Sequence, residues 1–363
     1  MKGVIIMKRI VSCFLSSVLM FSFIGCFGKN FDVNSDVFNI KKAGEIASNY
    51  MENVTRGNFD ESNKISTEVI KDNEEIRKIQ NDNINGYKLD KLSEGADHAY
   101  FTYIVVKEEK DESRIDLDTV VIKVAKKDKE YLVDEIKSTN EKQVYKVGST
   151  LRLRDYEIGK SQLLLRMKDL PKEVYPNRDN VVVDKESVPE GSFNKMGIGF
   201  LGNKVAFTTT NGLRTFIGLA IVEDTKPTVG DNQGGGDAPS QSGGNVDEAI
   251  QDALEMPILN KLVPYDVVDG SIVEKLLFSN DDGELIVQIK EEGKGSGIRI
   301  YKNPTGELLK LNLNEYFPVE KYSSDVVRID DNGVFITVKA IGSDKENEGT
   351  YKIDVEDLKV FKE

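Results

Sequence analysis

The chain holds one histidine, no tryptophan and two cysteines in 363 residues. A lone His98 excludes zinc centres and proton relays built from several imidazoles. Basic residues are also outnumbered, with Lys+Arg 49 against Asp+Glu 62 and a net charge of −13. That balance argues against affinity for phosphate backbones, so no nucleic-acid partner is expected. There is no Gly-x-Ser-x-Gly elbow for a serine nucleophile. Gly159-Lys160-Ser161 has the ending of a phosphate-binding loop, but Arg154 stands where the loop needs its first glycine. A hairpin turn is the simpler reading. What the composition does allow is length enough for two or three domains of ordinary size.

The sharpest signal lies at the start. Lys8 and Arg9 precede an apolar run from Ile10 to Ile24. As a helix that run is roughly 22 Å long, short for a membrane span and typical of a secretory leader. It closes with Phe23-Ile24-Gly25-Cys26, which resembles the bacterial lipobox, although Phe23 stands where leucine is commoner. The resemblance implies cleavage between Gly25 and Cys26 and a diacylglyceryl group on the Cys26 thiol. No other cofactor is expected. Cys13 lies in the removed segment, so the mature chain has no partner for an internal disulfide. Two acyl chains anchor far more persistently than one. Loss of Lys2, Lys8 and Arg9 leaves the mature chain three charges more negative, so anionic lipid would repel it and the acyl chains must supply the attachment.

Beyond the leader (1–25) and a lipidated tether (26–37), Ala43, Ile46, Ala47, Tyr50, Met51 and Val54 form one apolar stripe at helical spacing. Gly57 stops that helix, and Ile65, Val69 and Ile70 mark a second. From Gly86 the period becomes two. Tyr87–Leu92, Ala99–Val106, Ile115–Ala125 and Glu130–Ile136 read as strands joined by charged turns. This order predicts an α+β domain over 38–145 with helices on one face of an antiparallel sheet.

The opening helix ending Thr55-Arg56-Gly57-Asn58 and the closing strand Glu130-Tyr131-Leu132-Val133-Asp134-Glu135-Ile136 resemble the NTF2-like domains of exported bacterial proteins. The resemblance implies a cone-shaped sheet with a cavity, and no catalytic set carries over.

Residues 146–223 read as β-rich. Residues 224–248, with Gly234-Gly235-Gly236, are too polar and Gly-rich to bury surface, and read as a disordered linker or loop. A short helix is expected over Asp247 to Met256. Within 249–363, Asp281-Asp282-Gly283-Glu284-Leu285-Ile286-Val287 recurs as Asp331-Asn332-Gly333-Val334-Phe335-Ile336-Thr337. Hairpins at such a period suit a propeller-like domain or a hairpin-built sandwich, either on its own or as one domain with 146–223.

Candidate chemistry is sparse. His98 could serve as a lone base, but the further ligands a metal would need are missing. The acidic turns Asn280-Asp281-Asp282-Gly283 and Asp330-Asp331-Asn332-Gly333 lack the alternate spacing of a calcium loop. No catalytic residue and no metal ligand is therefore assigned. The expectation is a non-enzymatic lipoprotein on the extracytoplasmic face of the cell membrane, held by its lipid. It would act as an interaction or scaffold module for an envelope protein or cell-wall component. A receptor using the NTF2-like cavity and a cell-wall hydrolase using paired carboxylates are the alternatives.

Overall fold

The computed structural model describes residues 37–71, 83–109, 113–176, 184–222, 255–330, 333–343 and 345–363. Cys26, Gly25, the expected leader and all of 223–254 lie outside them, including most of the helix expected over Asp247 to Met256.

From Ile40 onward the chain opens with helices α1 (Ile40–Thr55), α2 (Phe59–Lys64) and α3 (Glu68–Lys71). In α1 the stripe Ala43, Ala47, Tyr50, Met51 and Val54 is buried, as its 3.6-residue spacing requires. A six-stranded antiparallel meander follows: β1 (Asn83–Glu94), β2 (His98–Glu109), β3 (Arg114–Lys127), β4 (Glu130–Val147), β5 (Thr150–Asp155) and β6 (Lys160–Arg166). The two-residue strands β7 (Glu173–Val174) and β8 (Glu186–Ser187) pair with each other.

The second sheet has the order β12-β11-β10-β9, with β9 at Ser192–Ile198, β10 at Lys204–Thr210, β11 at Arg214–Val222 and β12 at Leu259–Asp269. The third is β13 (Ser271–Phe278), β14 (Glu284–Glu291) and β15 (Ser296–Lys302). A one-turn helix α4 (Leu313–Tyr316) leads to the fourth, β16 (Tyr322–Asp330), β17 (Gly333–Ala340), β18 (Gly349–Asp354) and β19 (Lys359–Lys362).

Three cores explain why so many central strands read as unbroken apolar runs. Val205 and Phe207 of β10 face a core shared with Val106, Leu117, Val144 and Leu165 of the first sheet. Ala206, between them, faces a second core shared with Val273, Leu285 and Val287 of the third sheet. Ile286, Ile298 and Ile300 then face Val326, Val334 and Ile336 of the fourth. Period-2 alternation therefore runs between two cores rather than between core and water. Around the other side, Arg328 of β16 lies 3.8 Å from Glu52 of α1.

These facts overturn the expected fold class. The chain is mainly β, and no separate α+β NTF2-like domain spans 38–145. β4 runs through residue 145 to Val147 and pairs with β5, which pairs with β6 in the same sheet. Helix α1 covers only part of that sheet: the Phe101 ring packs beside Gly44. Ile104 and Val106, on the opposite face by strand alternation, join the core with β9 and β10. Part of this sheet is thus buried on both faces, unlike the one-sided sheet expected of an NTF2-like cone. Regions 146–223 and 249–363 are not set apart from the first sheet either, because one core joins Val144, Phe207 and Val267.

Of the two readings of 224–248, a linker or a loop, the strand pairing supports the loop. Val222 of β11 pairs with Leu259 of β12, so the chain leaves one sheet and returns to the same sheet beside the strand it left. It interrupts a hairpin rather than dividing two domains. On its return, Glu255 accepts from Arg152 Nη2 at 3.0 Å and from Leu163 N at 3.0 Å, which ties the re-entering chain to β5 and β6.

Candidate functional site

The groove with the richest chemistry follows the outer edge of β15 and has a volume of about 580 Å³. Its far wall is the segment Leu308–Asn314 with Phe317 and Val319. That segment begins as a partner of β15: Tyr301 and Leu308 form an antiparallel bridge, and Leu309 N donates to Ile300 O at 2.8 Å. It then turns away towards α4, where Asn312 Oδ1 caps the first turn by accepting from Asn314 N at 3.2 Å. At the other end of the edge, Ser296 N donates to Ser323 Oγ at 3.1 Å. The groove is thus a split in a sheet edge, closed at Ser296 and at Ile300.

Arg299 lines this split. Its Nη1 donates to Asp266 Oδ2 at 2.6 Å, and the phenol of Tyr301 donates to the same oxygen at 2.9 Å. Asp266 sits on β12 with its side chain 1% exposed, whereas the Arg299 side chain is 39% exposed. The carboxylate is therefore deep between the second and third sheets, and the guanidinium stands at the surface of the groove. Tyr265 and Tyr301 pack with ring centroids 5.5 Å apart, and Tyr265 OH donates to Asn303 Oδ1 at 3.1 Å. Burial pushes both phenols well above their ordinary range, and the nearby Asp266 charge raises Tyr301 further. Tyr301 therefore serves Asp266 as a neutral donor.

A second cleft, about 460 Å³, is lined by Asn280, Asp281, Glu284, Asp330, Lys352 and Asp354. It brings the first acidic turn singled out by sequence beside Asp330 and Gly333 of the second, whose Asp331 and Asn332 lie outside the described residues. The carboxylates of the first turn are already engaged. Asp281 Oδ1 accepts from Ser279 Oγ at 2.8 Å and from Gly283 N at 3.0 Å. Burial draws the Asp281 pKa up, but these hydrogen bonds prevail and hold it below the ordinary value. Asp282 is fully buried at φ 57° and accepts from Phe200 N and Leu201 N. Burial raises its pKa, with those two donors pulling the other way. Gly199 is required at this junction, since a Cβ there would lie 2.7 Å from Asp282 Oδ2. Asp282 is a staple between sheets. Among the described residues, no group of three or more His, Cys, Asp or Glu is placed to hold a metal ion.

The other residues singled out by sequence fall apart from the groove. His98 opens β2, with Nδ1 2.7 Å from Asp97 Oδ1 and its ring edge-on to Tyr100. Gly159, at φ 65°, turns β5 into β6. No helix follows to receive a phosphate. Ser161 Oγ instead lies 2.6 Å from Tyr145 OH. Among the described residues, no helix is long and apolar enough to cross a membrane.

Sequence reasoning missed Asp266, Arg299 and Tyr301. The available signal was a charge inside each of two apolar strands, Tyr265-Asp266-Val267 and Ile298-Arg299-Ile300. An isolated charge at such a position needs a buried partner.

No family model matches the chain, and no curated protein matches it. Solved structures give low-scoring likenesses. Kluyveromyces lactis Hsv2 with one loop replaced by a Gly-Ser linker is 10% identical over 73% of this chain and 65% of that chain, with a TM-score of 0.30. A puromycin hydrolase is 7% identical over 75% of this chain and 46% of that one, with a TM-score of 0.30. A prolyl endopeptidase is 9% identical over 77% and 50%, with a TM-score of 0.24. The chain spans less than two thirds of each of these proteins, and similarity at this level carries no argument about fold or activity.

Proposed function

We propose that this chain is a membrane-anchored extracytoplasmic lipoprotein, non-enzymatic, whose folded part is an interaction module at the cell envelope. The observation that carries the reading is the sequence Phe23-Ile24-Gly25-Cys26 closing a basic-then-apolar leader. The groove along β15 supports the second half, because it combines apolar walls with a fixed guanidinium, the usual make-up of a recognition site. Lipid on Cys26 would supply the attachment that the net charge of −13 opposes.

The test is fractionation of cells expressing the wild type and Cys26→Ala. Wild type should sediment with membranes and need detergent for release. The variant should lose detergent-dependent release or keep an uncleaved leader. A Cys26→Ala protein that is processed and partitions like wild type would overturn the anchor.

A further inference from the structure

The three cores of the fold join each sheet to the next, and none of the three contains a residue of α1 or β1. Where the fourth sheet meets α1 and β1, the joint is of another kind and rich in charge. Glu52 Oε1 of α1 lies 2.7 Å from Arg56 Nη2 and 3.8 Å from Arg328 Nη1 of β16. The Arg328 guanidinium rests on the Phe335 ring, with Cζ 3.8 Å from the ring centroid. That contact fixes the plane of its donors.

Both strands at the joint are irregular. Ile84 and Gly86 pair with consecutive residues of β2, and Val326 and Arg328 with consecutive residues of β17. Asn85 and Val327 are therefore skipped, and a bulge of this kind bends its strand and leaves the extra residue outside the ladder. The two bulges border one cavity of about 20 Å³, together with Thr55, Tyr87 and Arg328.

Two buried atoms of these lining residues, Thr55 Oγ1 and Arg328 Nε, have no hydrogen-bond partner among the described residues. Asp330 Oδ2 lies 3.3 Å from that Nε, but out of line for a hydrogen bond. Leaving a buried donor or hydroxyl unsatisfied is costly. The Tyr87 phenol lines the same cavity, close enough to Glu52, Arg56, Arg328 and Asp330 for their charges to act on it.

Size and charge together select the occupant. One water needs roughly 10–15 Å³ of such space and about two to four polar partners. Arg328 Nε can only donate, so it requires an acceptor. A cation cannot serve it and would meet the guanidinium groups of Arg56 and Arg328. An anion would lie beside the carboxylates of Glu52 and Asp330. A neutral molecule that both accepts and donates satisfies the guanidinium and the hydroxyl at once.

We infer that one buried water completes the joint between α1, β1 and β16. It accepts from Arg328 Nε and bonds Thr55 Oγ1, and the Tyr87 hydroxyl is available as a third partner. The inference is independent of the anchor and of the groove along β15.

The test combines crystallography with thermal unfolding of the full chain in detergent, as wild type, Thr55→Val and Thr55→Ser. Wild type should show density for a water within hydrogen-bond distance of both Thr55 Oγ1 and Arg328 Nε. Valine keeps the shape and the helix propensity of threonine at this last position of α1, so the variant isolates the hydroxyl. It should lower Tm by roughly 2–4 °C, because the water loses a partner. A hydroxyl that was simply buried and dry would give the opposite sign, since its removal relieves a cost. Thr55→Ser should keep the density. An unchanged or raised Tm in Thr55→Val, no density in the wild-type cavity, or an anomalous peak there in crystals grown with bromide would each overturn the proposal.

Discussion

Asp282 Oδ1 accepts a hydrogen bond from Phe200 N at 2.7 Å, across 82 residues of sequence. Its other oxygen takes Leu201 N at 3.0 Å, and its carbonyl takes Lys204 Nζ at 3.0 Å and Asn303 Nδ2 at 2.6 Å. One turn residue thus joins the β9–β10 connection of the second sheet to the third. Asp282→Ala leaves two backbone donors without their acceptor and replaces an aspartate, which tolerates the left-handed region, by an alanine that does so less well at φ 57°, so it should cost about 2–4 kcal/mol. Asp282→Gly removes the conformational part and should cost measurably less. Urea unfolding of the two variants checks the order, and equal losses would contradict it.

A buried charge pair provides the second prediction. Lys107 Nζ lies 2.5 Å from Asp118 Oδ2, with side chains 10% and 2% exposed. Asn140 Nδ2 donates to the other Asp118 oxygen at 2.9 Å. Lys107→Met should destabilise by about 3–5 kcal/mol, because the carboxylate stays buried without its cation. Adding Asp118→Asn should recover much of that loss. Additive losses in the double-variant cycle would show that the pair is not the unit.

Alkaline pH should unfold the protein through its tyrosines. Burial, with the Glu52 charge adding to it, raises Tyr87 from its ordinary 10.0 to about 12. Burial raises Tyr103 and Tyr265 in the same direction. A raised phenol favours the neutral form in the folded state. Its contribution is complete below pH 10 and is lost as pH climbs towards 12. Stability should therefore fall over pH 10–12, and Tyr87→Phe should make that fall shallower. A slope unchanged in Tyr87→Phe would count against this assignment.

The pairing of Val222 with Leu259 predicts the behaviour of a nicked chain. Cleavage by a protease within 224–248 should yield two fragments that co-elute on size exclusion and separate only in denaturant. Fragments that part under native conditions would indicate two independent domains.

How much of this was legible in the sequence depends on where each residue's neighbours come from. The stripe of α1 is local, and Ala43, Ala47, Tyr50, Met51 and Val54 are buried as their spacing implies. The first four strands were visible because Phe101, Tyr103, Ile122 and Val124 alternate. The second half of β4 was not. Lys137 to Glu141 is polar and mostly exposed, and it is strand only because β3 templates it through pairs such as Thr119 with Thr139. Ending the strand early at Ile136 made a closed α+β domain look complete. β12 was hidden differently. Pro264 falls at a register irregularity opposite Gly218, where a missing N–H is tolerated, but in sequence it breaks the strand pattern. The groove was illegible for a third reason: Asp266 and Arg299 meet only when two sheets stack.

The account rests most heavily on the state of residue 26. Intact-mass and N-terminal peptide mass spectrometry of the protein extracted from cell membranes is the most direct measurement. The predicted result is a chain that begins at Cys26 and carries the added mass of a diacylglyceryl group on that residue. A chain that retains residues 1–25, or one that begins at Cys26 with an unmodified thiol, would contradict it.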